Sequence, residues 1–289
     1  MRIQKLEYRS QNTEVRSQLL TFFISIFLII LFSCNPNREA KLIKFTGEAQ
    51  GTYYAVTYFD INGRNLQYEI DSLLEAFDLS VSIWVPNSII SKINRNDSSV
   101  VPDEYFSDIF NISKEVYEKS GGAFDPTVGP LVNAWGFGFT DRMKVDKKVI
   151  DSLLPFIGFS KVKLSNKKII KDDPQIQFDF NAIAQGYSVD LAGKLLEERG
   201  ITGYLIDIGG EVLAKGNKPN GDLWKVGIEK PKDNASYGEG LQAIVELKNK
   251  ALATSGETDI EAYFIYSDDN GNIKTFFTKG FESILKEEY

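Results

Sequence analysis

The chain has 289 residues, 43% apolar and 25% charged, which is ordinary for a globular protein with a substantial core. A formal net charge of −7 argues against nucleic-acid binding, which needs a basic footprint. There is no histidine, so imidazole-based nucleophile pairs, imidazole metal sites and the commonest general base are excluded; carboxylate, hydroxyl and backbone carbonyl remain, hard oxygen donors that suit Mg²⁺ or Ca²⁺.

Residues 1–18 are polar and carry Arg2, Lys5, Arg9 and Arg16. An apolar run from Leu19 to Phe32 follows, broken only by Thr21 and Ser25. At ~1.5 Å rise per residue it is too short to span a bilayer comfortably, and it has the length of a signal-peptide core. The run stops at Leu31-Phe32-Ser33-Cys34, and Cys34 is the only cysteine. A small residue before a lone cysteine at this place resembles a bacterial lipobox, in which the thiol is lipidated and cleavage makes Cys34 the new N-terminus. The alternative is a plain membrane anchor with an incidental cysteine. Both place the body of the protein outside the cytoplasmic membrane, and disulfides within that body are excluded. The expected organisation is a signal peptide over 1–34, a polar tether over 35–41 and one domain over 42–289.

"KLIKFTGEAQGTYYAVTYFDING" alternates and is rich in β-branched and aromatic residues, which predicts two strands ending at an Asn-Gly turn. Ile70, Leu73, Leu74 and Phe77 recur at helical spacing and predict a helix over ~65–79. Phe106, Ile109, Phe110, Ser113, Val116 and Tyr117 predict a second, from near Pro102 to Gly121-Gly122. Strands are expected at 161–165, 167–171 and 175–179, and a third helix from Gly186 to Arg199. Strands at 203–208, 211–215, 224–229, 241–248, 251–254, 262–267 and 273–277 and a short terminal helix complete the pattern. The fold class is α+β, mostly antiparallel sheets with helices inserted between strands.

Four segments have the character of a binding site. In "FDFNAIAQGYSVD" (178–190) a strand ends at Asp179 and small residues lead into the third helix, whose first amides favour an anion such as phosphate. Asp179 is placed to accept hydrogen bonds from a sugar or base, and the Ala182 carbonyl to face a cation. "SGGAFDPTVGPLVNAWGFG" (120–138) crowds Gly, Pro, Asp125, Thr127, Phe124 and Trp135 without periodicity, and Asp125-Pro126 signals a turn. "LSVSIWVPNSIISKIN" sets Trp84 after a helix, where an exposed indole stacks on a planar ring or an ordinary core aromatic is buried. "YLIDIGGEVLAKG" holds a Gly-Gly pair between strands; it is not GxGxxG and lacks βαβ context.

Together with "GTYYAVTY" (51–58), "WKVGIEKP" (224–231) and "LATSG" (252–256), these segments, taken in their order along the chain, resemble the FAD:protein FMN transferases, the ApbE family. The resemblance covers most of residues 45–256. It implies an ApbE/T-fold-like single domain and an exported, lipid-anchored enzyme. Such an enzyme is Mg²⁺-dependent and transfers FMN from FAD to a threonine hydroxyl of an acceptor protein, releasing AMP. By the same resemblance Trp84 packs on the flavin nucleotide, Ala123, Phe124 and Asp125 contact FAD, Asp179 binds FAD, and the Ala182 carbonyl is a metal ligand. Gln185 stands where the family usually has Lys, and Gln50 where it often has Met. No catalytic residue is assigned.

The departure from the family comes after "ATSG". The His-x-x-Asp-Pro-x-Thr-Gly signature and a later Ala-Asp-Ala-rich helix, whose Asp and nearby Thr help hold the metal, have no counterpart. "IEAYFIYSDDNGNIKTFFTKGFESIL" (260–285) resembles the family's final strand pair instead. The resemblance thus implies an internal deletion with a seam near 256–260, and a fold lacking part of its C-terminal half. A Mg²⁺ site reduced to one carbonyl binds weakly. The alternative function is a catalytically silent flavin-nucleotide-binding lipoprotein.

Overall fold

Alternation dictates the sheet. Along Thr52–Asp60 every second residue from Tyr54 is buried, and the same period runs through Tyr204–Ile208. The computed structural model describes residues 39–138, 144–229, 241–255, 263–267 and 273–277. The predicted leader with Cys34 and the predicted terminal helix lie outside the described residues. From Lys41 onward the chain is one compact unit.

Its strands are β1 (Lys41–Ala49), β2 (Thr52–Asp60), β3 (Val162–Ser165), β4 (Lys168–Lys171), β5 (Tyr204–Ile208), β6 (Glu211–Lys215), β7 (Trp224–Glu229), β8 (Leu241–Leu247), β9 (Lys250–Ser255), β10 (Tyr263–Ser267) and β11 (Ile273–Phe277). Its helices are α1 (Gln67–Val81), α2 (Ile89–Asn94), α3 (Glu104–Lys119), α4 (Gly129–Ala134), α5 (Lys147–Leu153) and α6 (Asn181–Glu198). Seven strands form one sheet in the order β1-β2-β5-β6-β9-β10-β11, and every pairing in it is antiparallel. β3–β4 and β7–β8 are separate two-stranded ribbons. Among the described residues no helix is long and apolar enough to cross a membrane.

The sheet buries both faces. Tyr54, Val56, Tyr58, Tyr204, Ile206 and Ile208 meet Ile70 and Leu74 of α1 and Val189, Ala192 and Leu196 of α6. Phe59 and Leu205, pointing the other way, pack with Trp224, Ile228 and Leu247 of the β7–β8 ribbon. A third core lies among the helices, where Phe77, Ile90, Phe106, Ile109, Phe110, Phe159, Phe178 and Phe180 cluster. One buried charge locks the end of β2. Asp60, 3% exposed, takes Arg64 Nε at 2.9 Å, a second guanidinium nitrogen at 3.0 Å and the Arg64 amide at 2.7 Å. That pairing lowers its pKa to about 2.

Three expectations about elements change. The third helix starts at Asn181, five residues before Gly186: Phe180 is its N-cap and its carbonyl accepts the Ile183 and Ala184 amides, while Asp179 Oδ1 accepts the Asn181 amide at 2.8 Å. Residues 175–179 are not a ladder strand: a single parallel bridge, Val128↔Gln177, is all they make. The helices α2, α4 and α5 go unannounced in the sequence, being six, six and seven residues long, too short for helical periodicity to show.

Candidate functional site

Strand directions bring several connections to one end of the large sheet. β1 turns into β2 through Gln50-Gly51, with φ of 56° and 74°. β5 turns into β6 through Gly209-Gly210, with φ of 58° and 95°. Both are two-residue hairpin turns with positive φ at each centre, the type whose twist matches the strands. The register Tyr54↔Ile208 puts the two turns side by side, and the Gly209 amide donates to the Tyr53 carbonyl at 3.0 Å. β9 runs antiparallel to β6, with Val212↔Leu252, so it also finishes here, and β10 starts here opposite it, with Tyr263↔Ser255.

The start of α6 meets this end of the sheet. A methyl group placed on Gly209 would lie 2.4 Å from Gln185 Nε2, so the amide of Gln185 already rests on the turn. Between them opens a cavity of about 510 Å³ lined by Asn181, Ala182, Gln185, Gly186 and Asp190 of α6, by Glu211 at the start of β6 and by Ala253 of β9. Of the residues singled out in the sequence, Ala182 and Gln185 line it, and Asp179 lies one turn back along the chain.

The 123–128 loop is joined to the same stretch by its backbone. The Asp179 amide donates to the Pro126 carbonyl at 2.8 Å, and Val128 bridges Gln177. Gly129 permits this approach, since a Cβ there would stand 2.8 Å from the Gln177 carbonyl oxygen. Asp125 is consumed locally: Oδ1 accepts the Thr127 amide at 2.8 Å and its hydroxyl at 2.6 Å, and Oδ2 accepts the Phe159 amide at 3.0 Å. Ala123 is exposed, Phe124 half-buried, and Trp84, 55% exposed, stands in the turn after α1; none of the three lines the cavity. Gln50 is held at the neighbouring turn. Its Oε1 accepts the Ser188 hydroxyl at 3.3 Å, while its buried Nε2 finds no hydrogen-bond partner among the described residues.

The helix start is less open to an anion than its small residues imply. The Asn181 amide is taken by Asp179, and those of Ile183 and Ala184 both donate to the Phe180 carbonyl, at 2.9 and 2.8 Å. The charge nearby is negative. Burial raises the pKa of Asp179, although the Asn181 amide pulls the other way. Burial likewise raises Asp207, against the opposing Gly210 amide and Tyr53 hydroxyl. Glu211 is raised by burial first and by the charge of Asp207 second. Neither Asp207 nor Glu211 was singled out in the sequence. The signal was the acid immediately after Gly-Gly in "IDIGGE", which only the strand topology carries across to α6.

Glu211 and Asp190 bring carboxylate oxygens to the cavity, and Ala182, whose carbonyl the family resemblance makes a metal ligand, lines it as the second residue of α6. They are too few. Among the described residues no group of three or more His, Cys, Asp or Glu could hold a metal ion, so the described donors do not form a Mg²⁺ site by themselves.

A model of the ApbE family matches residues 50–274, on both sides of the 256–262 connection. An FAD:protein FMN transferase of Haemophilus influenzae is 30% identical over 270 residues, covering 88% of this chain and 75% of its own length. One from Vibrio cholerae is 33% identical over 246 residues, covering 82% of this chain and 71% of its own. Among solved structures, flavin transferase ApbE from Vibrio cholerae matches with a TM-score of 0.68 at 25% identity, over 84% of this chain and 99% of that one. The apo form of the Pseudomonas stutzeri flavinyl transferase ApbE matches with a TM-score of 0.68 at 24% identity, over 85% and 98%, and shows the shared fold.

Proposed function

The chain belongs to the ApbE family of FAD:protein FMN transferases, an enzyme family, and from that premise we propose that it moves FMN from FAD onto a threonine hydroxyl of an acceptor flavoprotein, with AMP as the second product. The observation that carries the reading is the convergence of the α6 start, with Ala182 and Gln185, on the Gly209-Gly210 turn around a cavity of about 510 Å³. In this reading the 123–128 loop and Asp179 hold the nucleotide and Trp84 offers an exposed ring for it. Mg²⁺ enters as the cofactor implied by the family resemblance; the described residues do not hold it alone, and no step is assigned to it.

A second reading, a flavin-nucleotide-binding protein without transfer activity, is favoured by that incomplete donor set. One experiment separates the two readings. The purified protein is incubated with FAD, Mg²⁺ and an acceptor domain, and covalent flavin fluorescence is read in a denaturing gel. The transferase reading expects a fluorescent acceptor band that full-length relatives also give. FAD binding without such a band would leave the second reading standing.

We further propose a lipid-anchored protein of the cell envelope, facing the periplasm, on the strength of the Leu19–Phe32 run and Cys34. The native protein is expected to take up labelled fatty acid on expression in a bacterial host, and Cys34→Ser to take up none. A native protein that takes up no fatty acid yet partitions with detergent points instead to the plain membrane anchor.

A further inference from the structure

Building on the transferase reading above, we propose that the groove between the free edge of β1 and α1 takes an extended, basic segment of the acceptor protein, which pairs with β1 as an added strand. β1 is the outermost strand of the large sheet, and among the described residues no strand pairs with its outer edge. The two-residue turn at Gln50-Gly51 makes Ala49↔Thr52 the first hydrogen-bonded pair of the hairpin, so Gly47 and Phe45 also bond to β2. The backbone groups of Lys44, Thr46 and Glu48 therefore face outward. In keeping with this, the Thr46 carbonyl accepts the side-chain amide of Gln67, on α1, at 3.1 Å. Such a row of outward amides and carbonyls is a template for one more strand.

The lining of the groove sets the charge of its partner. Along the outward row lies a cavity of about 640 Å³, bordered by Gly47, Glu48 and Ala49 on the strand side and by Asp71, Glu75 and Asp78 of α1 on the other. No Lys or Arg lines it, and among the described residues none of these acids is in an ion pair. The helix acids stand at i, i+4 and i+7, on one face, with rises of about 6 and 4.5 Å. Alternate side chains of a strand repeat every ~6.6 Å, so a segment with Lys or Arg at every second position sets a cation near each acid. Leu79, 50% exposed, and Val85 offer apolar surface to the stems of those side chains. The groove ends at Ala49, next to the Gln50-Gly51 turn, which lies beside the Gly209-Gly210 turn of the cavity at the start of α6. An acceptor seated there brings its threonine to the rim of the site.

The test uses the whole chain with FAD, Mg²⁺ and a threonine-bearing acceptor domain. Reversing two exposed acids together, Glu48→Lys with Glu75→Lys, is expected to raise the KM for the acceptor about tenfold, with kcat, FAD affinity and Tm unchanged. Thr46→Pro removes an outward amide and no bond to β2, and is expected to raise the same KM; if that variant does not fold, the charge variant decides alone. A synthetic peptide alternating Lys and Val is expected to compete with the acceptor, and one alternating Glu and Val is not. A native acceptor KM in the charge variant overturns the proposal and leaves the transferase reading intact. So does a native chain that is dimeric in solution and becomes monomeric in the charge variant, because a second copy would then fill the groove. A native chain that binds FAD yet transfers nothing overturns both.

Discussion

Phe178→Ala is expected to remove about 3–5 kcal/mol of stability, the range for deleting a buried aromatic ring. Phe178 is 1% exposed and touches three rings, with centroids at 6.1 Å from Phe106, 6.1 Å from Phe110 and 5.5 Å from Phe180. The contacts to Phe106 and Phe110 are edge-to-face, a geometry that adds to simple burial. Its backbone is fixed as well. Asn94 accepts the Phe178 amide and donates to the Phe178 carbonyl, both at 2.8 Å. Loss of the ring therefore leaves a cavity that the segment cannot easily close. Phe178 and Phe180 flank Asp179, so the variant should also weaken FAD binding by loosening the start of α6. Urea denaturation measures the first effect and flavin titration the second. A loss below about 1 kcal/mol would contradict the close packing of this aromatic cluster.

The second large effect is expected at Asp125, where stability and ligand binding can be told apart. Asp125→Ala orphans three donors, the Thr127 amide, the Thr127 hydroxyl and the Phe159 amide. Thr127 is fully buried, and its hydroxyl oxygen in turn accepts the Gly158 amide at 2.8 Å. At roughly 0.5–1.5 kcal/mol for each hydrogen bond, and more where a buried donor is stranded, the loss should be about 2–4 kcal/mol. The family resemblance casts Asp125 as an FAD contact, whereas the geometry makes it the brace that ties the 123–128 loop to the 158–159 turn. Guanidinium denaturation alongside flavin titration decides between them. A variant with native stability and lost FAD affinity would show that Asp125 serves the ligand directly.

Much of the fold was legible because each signal was local. Tyr54, Val56 and Tyr58 announce β2 by alternation, and Ile70, Leu74 and Phe77 announce α1 by their spacing. The misread stretch, 175–186, failed for a definable reason. The small residues between Asn181 and Gly186 are compatible with a turn, whereas in the structure the Phe180 carbonyl already accepts the Ile183 and Ala184 amides and the helix begins there. Residues Gln175–Asp179 look like a strand because Ile176 and Phe178 alternate, yet that alternation serves the aromatic core and not a ladder. The site was readable where its residues lie within one motif, as Ala182 and Gln185 do. Glu211 was not, since its neighbourhood is made by pairing β5, β6 and β9 over long sequence separations, and its raised pKa comes first from burial that no short window reveals.

The close of β9 and the opening of β10 have a consequence for how such a protein can change. Their register, from Ala253↔Ile265 to Ser255↔Tyr263, is complete in itself and joins the outer strands to the sheet through backbone bonds. A segment spliced in or out between them leaves every other pairing of the sheet untouched, because loop length is a minor thermodynamic matter beside strand pairing. The scaffold is thereby uncoupled from the chemistry mounted on its rim. An engineer could lengthen the connection there without redesigning the core.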